Sequence, residues 1–229
     1  MVRHWCLLPI LPVLLIFPAR AQTIDEFLPE VNTYFKVDSG VRVYFQAKET
    51  REGGDPIQAE IGPSIAFFLK PLVRLKDVTE FDLDDAKKRV LVLSLGYRYL
   101  PSPNEPTVNR FRLDLTSHFP MKAKILISDR NRADLDWQNG KFKWRYRNKL
   151  TLEKGVAIKT YSFRPYVSVE PFYQSQYRKW STTALYAGAL FPIGKRVQLD
   201  SYYEHQNNTG KSPNQQLNQI GLILDLYFQ

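Results

Sequence analysis

From residue 31 onward apolar and polar residues alternate one by one, the period of a β-strand, and turn-forming residues interrupt the alternation every ten to fifteen positions or so. VNTYFKV (31–37) precedes the turn Asp38-Ser39-Gly40, and VRVYFQAKE (41–49) runs up to the loop REGGDP (51–56). IQAEIGPSIAFFL (57–69), RVLVLSLGYRYL (89–100), RFRLDLTSHF (110–119) and AKILISDRNRADLDW (123–137) follow, the last ending at Gln138-Asn139-Gly140. Then come KFKWRYRNKLTLE (141–153), SFRPYVSVEPFYQ (162–174), TTALYAGALF (182–191), RVQLDSYYEHQ (196–206) and LNQIGLILDLYF (217–228). These make eleven strands. Closed single-chain bacterial barrels use even numbers, which points to about 12 strands (10–12), with one more in 23–30 or in the acidic stretch 73–89.

The two faces of these strands differ in kind. Phe111, Leu113 and Leu115 oppose Arg110, Arg112, Asp114, Thr116 and His118; Phe142, Trp144, Tyr146, Leu150 and Leu152 oppose Lys143, Arg145, Arg147, Lys149, Thr151 and Glu153. Alternation alone leaves open whether the apolar face turns inward to a water-soluble core or outward to lipid. Three features favour lipid. The strands run about 9–13 residues, where roughly 9–11 cross a bilayer and soluble strands average five or six. Aromatic residues gather toward strand ends, as in Tyr97/Tyr99, Trp137, Trp144/Tyr146 and Tyr227/Phe228. The last strand ends with Phe228 next to last, a pattern resembling the C-terminal strand that outer-membrane assembly machinery binds. The expected fold is therefore an all-β, antiparallel transmembrane β-barrel of the outer-membrane type.

The N-terminus is of another kind. Arg3 and His4 precede an apolar run (5–17) and the small-x-small site Ala19-Arg20-Ala21. This is the pattern of a cleaved signal peptide, expected at 1–21, with 22–229 forming one barrel domain. Its loss takes the formal charge from +9 to +7 by removing Arg3 and Arg20. It also removes Cys6, the only cysteine, and with it any disulfide or thiolate metal site. Past this segment no apolar run reaches the roughly 18–20 residues of a spanning helix. The mildly negative mean hydropathy does not argue against a barrel, because only alternate residues of its strands face lipid.

The block SDRNRADLDWQNGKFKWRYRNKLTLEK (128–154) resembles the paired arginine-rich strands of the bacterial family called domain of unknown function 2490. LGYRYL (95–100), RPYVSVEPFY (164–173), FPIGKRVQLDSYYEHQN (191–207) and IGLILDLYF (220–228) match its pattern in the same order. The resemblance spans about 28–228, and the stretch 145–148 with the C-terminal blocks is its most specific part. It implies an exported outer-membrane barrel of unassigned activity and supplies no catalytic or ligand residues. Residues 73–89 are longer than the equivalent turn in many members.

Candidate chemistry is sparse. Beyond the leader the histidines are His118 and His205. Ser117 and His118 are adjacent, so on a strand they point to opposite faces and cannot form a nucleophile–base pair. No Gly-x-Ser-x-Gly elbow and no His-Glu-x-x-His motif is present. Asp82, Asp84 and Asp85 lack the glycine and spacing of a calcium loop. No enzyme activity, cofactor or metal is expected, and no nucleic-acid motif accompanies the basic charge.

What stands out is a basic ladder on three consecutive strands: Arg110, Arg112, Arg130, Arg132, Lys143, Arg145, Arg147 and Lys149. In a barrel it lines the lumen beside Asp114, Asp134, Asp136 and Glu153. Either these charges pair off and fill the lumen, or they set up a field that favours passage of a small anionic solute. The expected role is thus structural or channel-forming in the bacterial outer membrane, with lipids and the assembly machinery as partners. The alternatives are a barrel-embedded lipid-modifying enzyme using His118 or His205, and a soluble periplasmic β-barrel binding an apolar ligand, which needs the apolar faces turned inward.

Overall fold

The alternating segments become one continuous wall. The computed structural model describes residues 22–69, 83–210 and 212–228; the expected leader at 1–21, with Cys6, and most of 73–89 lie outside them. The strands are β1 (Gln22–Asp38), β2 (Val41–Glu52), β3 (Asp55–Phe68), β4 (Leu91–Leu100), β5 (Val108–Met121), β6 (Ile125–Gln138), β7 (Lys141–Lys154), β8 (Val156–Ile158), β9 (Tyr161–Gln174), β10 (Lys179–Ile193), β11 (Val197–Asn208) and β12 (Gln215–Phe228). Among the described residues between β3 and β4, Asp85–Lys88 form a 3-10 turn.

Eleven of these strands close the barrel, and β8 is an extension of β7. Glu153 opposes Tyr166 and Val156 opposes Phe163 in one unbroken antiparallel register, interrupted only at Gly155. Residues 23–30 belong to β1 and add no strand. Every neighbouring pair is antiparallel except β1 and β12, which run parallel from Gln22↔Gln215 to Phe35↔Phe228. The geometry requires this: strands that alternate up and down and number eleven leave the first and last pointing the same way. Paired residues of the seam stack on each other, Tyr34 on Tyr227 inside (4.9 Å) and Phe35 on Phe228 outside (5.3 Å).

Most hairpins are tight. At Gln138–Lys141 both central residues, Asn139 (φ 50°) and Gly140 (φ 71°), take the left-handed conformation that matches the twist of the flanking strands. The expected loop at 51–56 shrinks to Gly53-Gly54, because β2 and β3 run on through Glu52 and from Asp55.

The wall is inverted relative to a water-soluble barrel. Phe111, Leu113, Leu115, Leu150, Leu152, Ile220 and Leu222 face outward and are 38–58% exposed. Arg98, Asp134, Arg164 and Glu170 face inward and are at most 2% exposed. Apolar clusters inside are small, the largest being Ala66, Phe68, Ala86 and Val92. Two outward aromatic belts flank the apolar band. One links Tyr97, Phe111, Trp137 and Phe142, and continues through Trp144, Tyr173 and Trp180. The other, at the opposite end, includes Phe35–Phe228 and Phe163–Phe191. The outer band carries a hydrogen-bonded polar cluster at mid-height on β6 and β7, where Asn148 donates to Asp129 (2.6 Å) and Asn131 (3.0 Å).

Close packing inside depends on small residues opposite large ones. A Cβ placed on Gly221 of β12 would lie 2.0 Å from the ring of Tyr202 on β11. Gly221→Val should therefore lower unfolding stability by about 1–3 kcal/mol through overpacking. Adding Tyr202→Ala should recover part of that loss, as measured by thermal unfolding in mild detergent; an unchanged midpoint in Gly221→Val would refute the contact.

Candidate functional site

Among the described residues the lumen concentrates the chemical groups, and the strand register determines how they meet. On the inward face β5 carries Arg110, Arg112 and Asp114, while antiparallel β6 sets Asp136, Asp134 and Arg132 opposite them. On the other side of β6, β7 places Lys143 and Arg145 opposite Asp136 and Asp134, but Arg147 and Lys149 opposite Arg132 and Arg130. Charges therefore alternate across the wall, except where four cations meet. There β9 contributes Glu170.

The contacts follow this plan. Arg110 grips Asp136 with two nitrogens (2.7 and 2.9 Å), and Arg132 Nε donates to Asp114 Oδ1 (2.5 Å). Arg145 donates twice to Asp134 Oδ2 (2.9 and 2.7 Å). Arg147 forks onto Glu170 (3.0 and 2.9 Å), which also accepts from Arg130 (3.0 Å) and the Tyr186 hydroxyl (2.8 Å). Glu60 of β3 ties Arg110 and Arg112 (3.2 and 3.3 Å). Arg98, fully buried, donates to Gln46 (2.8 Å) and to the carbonyls of Pro63 (2.7 Å) and Tyr97 (2.8 Å). Buried charge is tolerated only when paired and hydrogen-bonded, and forked guanidinium–carboxylate contacts do both.

The wall opposite this ladder has another character. In the ring of eleven strands, β11, β12 and β1 lie across from β5, β6 and β7. They present Asp200, Glu204, Asp225 and Glu30 to a cavity of about 480 Å³ that the ladder also lines. A second cavity of about 270 Å³ lies toward the end of the barrel where β3 leaves and β4 begins.

That end is crossed by residues 83–90. Asp84 pairs with Arg42 of β2, and Lys87 reaches Glu153 of β7 (2.9 Å). Four strands separate β2 from β7 one way round and five the other, so the two contacts anchor the segment to opposite walls. Ala86 is buried between them, and Arg89 donates to the Ser39 carbonyl (2.8 Å). Asp84 also caps the 3-10 turn by accepting from the Ala86 amide (2.9 Å). Burial pushes the Asp84 carboxyl up, but Arg42, Lys87 and the Ala86 amide outweigh it and hold the group below its ordinary value.

Seven of the eight residues of the expected ladder line the larger cavity: Arg110, Arg112, Arg130, Arg132, Arg145, Arg147 and Lys149. Lys143 shares their face but lies toward the Gln138–Lys141 hairpin and lines neither cavity. The arginines are engaged by carboxylates. Lys149 instead lies over the Tyr186 ring, 3.5 Å from its centre. His118 faces inward, its Nδ1 2.7 Å from the Arg89 carbonyl oxygen, while Ser117 points away. His205 is held by Asn218 (2.9 Å). Asp82 lies outside the described residues, and among those described no cluster of three or more metal-type ligands is present. Glu60, Glu170, Arg98 and the acidic wall lay outside the expected ladder, although the alternation of 90–99 and 217–228 puts Arg98 and Asp225 on the polar faces of their strands. The alternation of 164–170 and 196–206 does place Glu170, Asp200 and Glu204 on inward positions, a signal present but weaker than the arginine runs.

Residues 86–217, more than half of the chain, match the family model described as Protein of unknown function (DUF2490). No curated protein and no solved structure matches.

Glu170→Gln should destabilise the barrel by about 3–5 kcal/mol, since it leaves Arg130 and Arg147 buried without their shared anion. Glu170→Met with Arg147→Met should recover much of it; denaturant unfolding in detergent measures both, and equal stability of Glu170→Gln and the parent would refute the pairing. Because the folded Asp84 value lies below the free one, its contacts add stability above about pH 3.9 and lose it as pH falls through the lowered value. A cysteine at Ala86→Cys should resist a water-soluble thiol reagent at neutral pH and react at the same pH when Asp84→Asn is added. Equal labelling in every case would refute the anchoring.

Proposed function

We propose that this chain, which belongs to the family described as Protein of unknown function (DUF2490), is a transmembrane β-barrel of the bacterial outer membrane that holds and passes small polar solutes, with one mouth closed by residues 83–90. The observation that carries this reading is the inverted wall: apolar side chains outside, paired charges within. In hydrocarbon every backbone donor and acceptor needs an internal partner, and a closed barrel supplies that with strands. The wall strands, 10–17 residues long, exceed the roughly 9–11 needed to cross, and the two aromatic belts sit where interfaces would lie.

The reading with apolar faces turned inward around an apolar ligand lacks support, because the inward faces carry the arginines and carboxylates. A lipid-modifying enzyme has no favouring contact either: His118 and His205 are bound to a carbonyl and an amide oxygen, with no hydroxyl nucleophile among their hydrogen-bond partners. The lipid bilayer and the barrel-assembly machinery, through β12, remain the proposed partners. A preference for anionic solutes weakens, since the arginines that suggested it are neutralised by neighbours.

The mature chain should fractionate with outer membranes and migrate faster on mild-detergent gels before heating than after. In planar bilayers it should conduct little, and Asp84→Asn with Lys87→Gln should raise the conductance. Recovery of the chain from periplasmic extracts without detergent would overturn the reading.

A further inference from the structure

The polar cluster on the outer faces of β6 and β7 sits where a transmembrane wall should be apolar. Asp129 pairs across the sheet with outward Leu150, and Asn131 with Asn148. Asn148 donates to Asp129 (2.6 Å) and Asn131 (3.0 Å), Asn131 donates to Asp129 (3.1 Å), and the Tyr146 hydroxyl donates to Asn131. Leu115 and Phe119 of β5 and Leu150 and Leu152 of β7 rim the group and are exposed. On the transmembrane reading this carboxylate and its amides face hydrocarbon, whereas ionisable groups at membrane depth normally turn to protein or water. The donors to Asp129 are neutral amides, and it forms no ion pair among the described residues.

Spare hydrogen-bonding capacity accompanies the exposed charge. Asp129 takes one donor on each oxygen, which leaves each a free lone pair. Asn131 spends one of its two amide hydrogens. Ser117, outward on β5 and directly across from Asp129, makes no side-chain hydrogen bond among the described residues. The patch thus offers donors and acceptors side by side. Ser117, Asn131 and Ala133 are also short, so a second wall can approach closely.

These features select a second copy of this chain as the occupant. A lipid chain supplies no donor. Two barrels related by a two-fold axis along the membrane normal keep every residue at its own height, so polar cluster meets polar cluster and apolar rim meets apolar rim. With the axis between β5 and β6 the faces meet reversed left to right, and Ser117 of each copy falls opposite Asp129 of the other. The two carboxylates are then offset, and each gains a donor. We propose that the outer face of β5, β6 and β7 is the interface of a membrane-embedded homodimer, joined by reciprocal hydrogen bonds between Ser117 and Asp129. The inference rests on the transmembrane reading above and names a partner for it.

Sedimentation equilibrium of the folded mature barrel in mild detergent should give a dimer. Asp129→Leu should weaken association at least about tenfold. Ser117→Phe should do the same, because it blocks the approach while leaving the hydrogen bonds within the cluster intact. Heat-modifiable migration shows which variants fold, and Ser117→Phe carries the test if Asp129→Leu does not. In outer membranes of cells producing both Ser117→Cys and Asp129→Cys chains, mild oxidation should give disulfide-linked pairs. Leu222→Cys, outward on β12, should not. A monomeric parent, a dimer unaltered in every folded variant, equal crosslinking from Leu222→Cys, or crosslinking only to a different protein would overturn the proposal. A monomer that fractionates with outer membranes defeats this inference alone, whereas recovery without detergent defeats the membrane reading beneath it.

Discussion

Guanidinium and carboxylate groups drawn out of water must find each other, and antiparallel register is what lets them do so inside this barrel. Arg110, Arg112 and Asp114 meet Asp136, Asp134 and Arg132 because two chain segments of mirrored charge order run in opposite directions. Where the order fails and Arg130, Arg132, Arg147 and Lys149 crowd together, Glu170 enters from β9 with both oxygens occupied. The interior has little apolar packing to fall back on, so the position of each strand relative to the next is tied to this pairing. A one-residue slip would turn the ladder's charges outward and the leucines of the outer band inward.

The same constraint organises the ends and the seam. Residues 83–90 can cross the lumen because Arg42 and Glu153 offer one charge of each sign on opposite walls, matched by Asp84 and Lys87 three residues apart. Closure of eleven strands forces β1 and β12 to run parallel, and the seam is held by the stacked pairs Tyr34–Tyr227 and Phe35–Phe228 together with the Asn32–Asp225 hydrogen bond.

Much of this was legible in the residue pattern. The period of two located each wall strand within a few residues, the Asn139-Gly140 turn took the predicted hairpin form, and seven of eight ladder residues reached the lumen. Strand β1 was read too short because Pro29 and the acids at 25, 26 and 30 obscure the alternation of its first half. The strand parity argument suggested an even number, whereas a parallel seam admits eleven, with β8 as a continuation of β7. Glu60 and Glu170 escaped notice because each lies alone among apolar and small residues on its own strand, and their importance arises only beside arginines far away in sequence.

Alternation is a local property, set by which face of each strand a residue occupies, and so the chain alone settled the strands, their amphipathic faces and the gathering of cations on three of them. Which carboxylate neutralises which arginine depends on register and on the closure of the ring, both of which join residues distant in sequence. Charge on a list of residues reads as a surplus of cations. Only the closed barrel reveals that the arginines among these cations are already paired, each with a carboxylate that register or ring closure brings beside it.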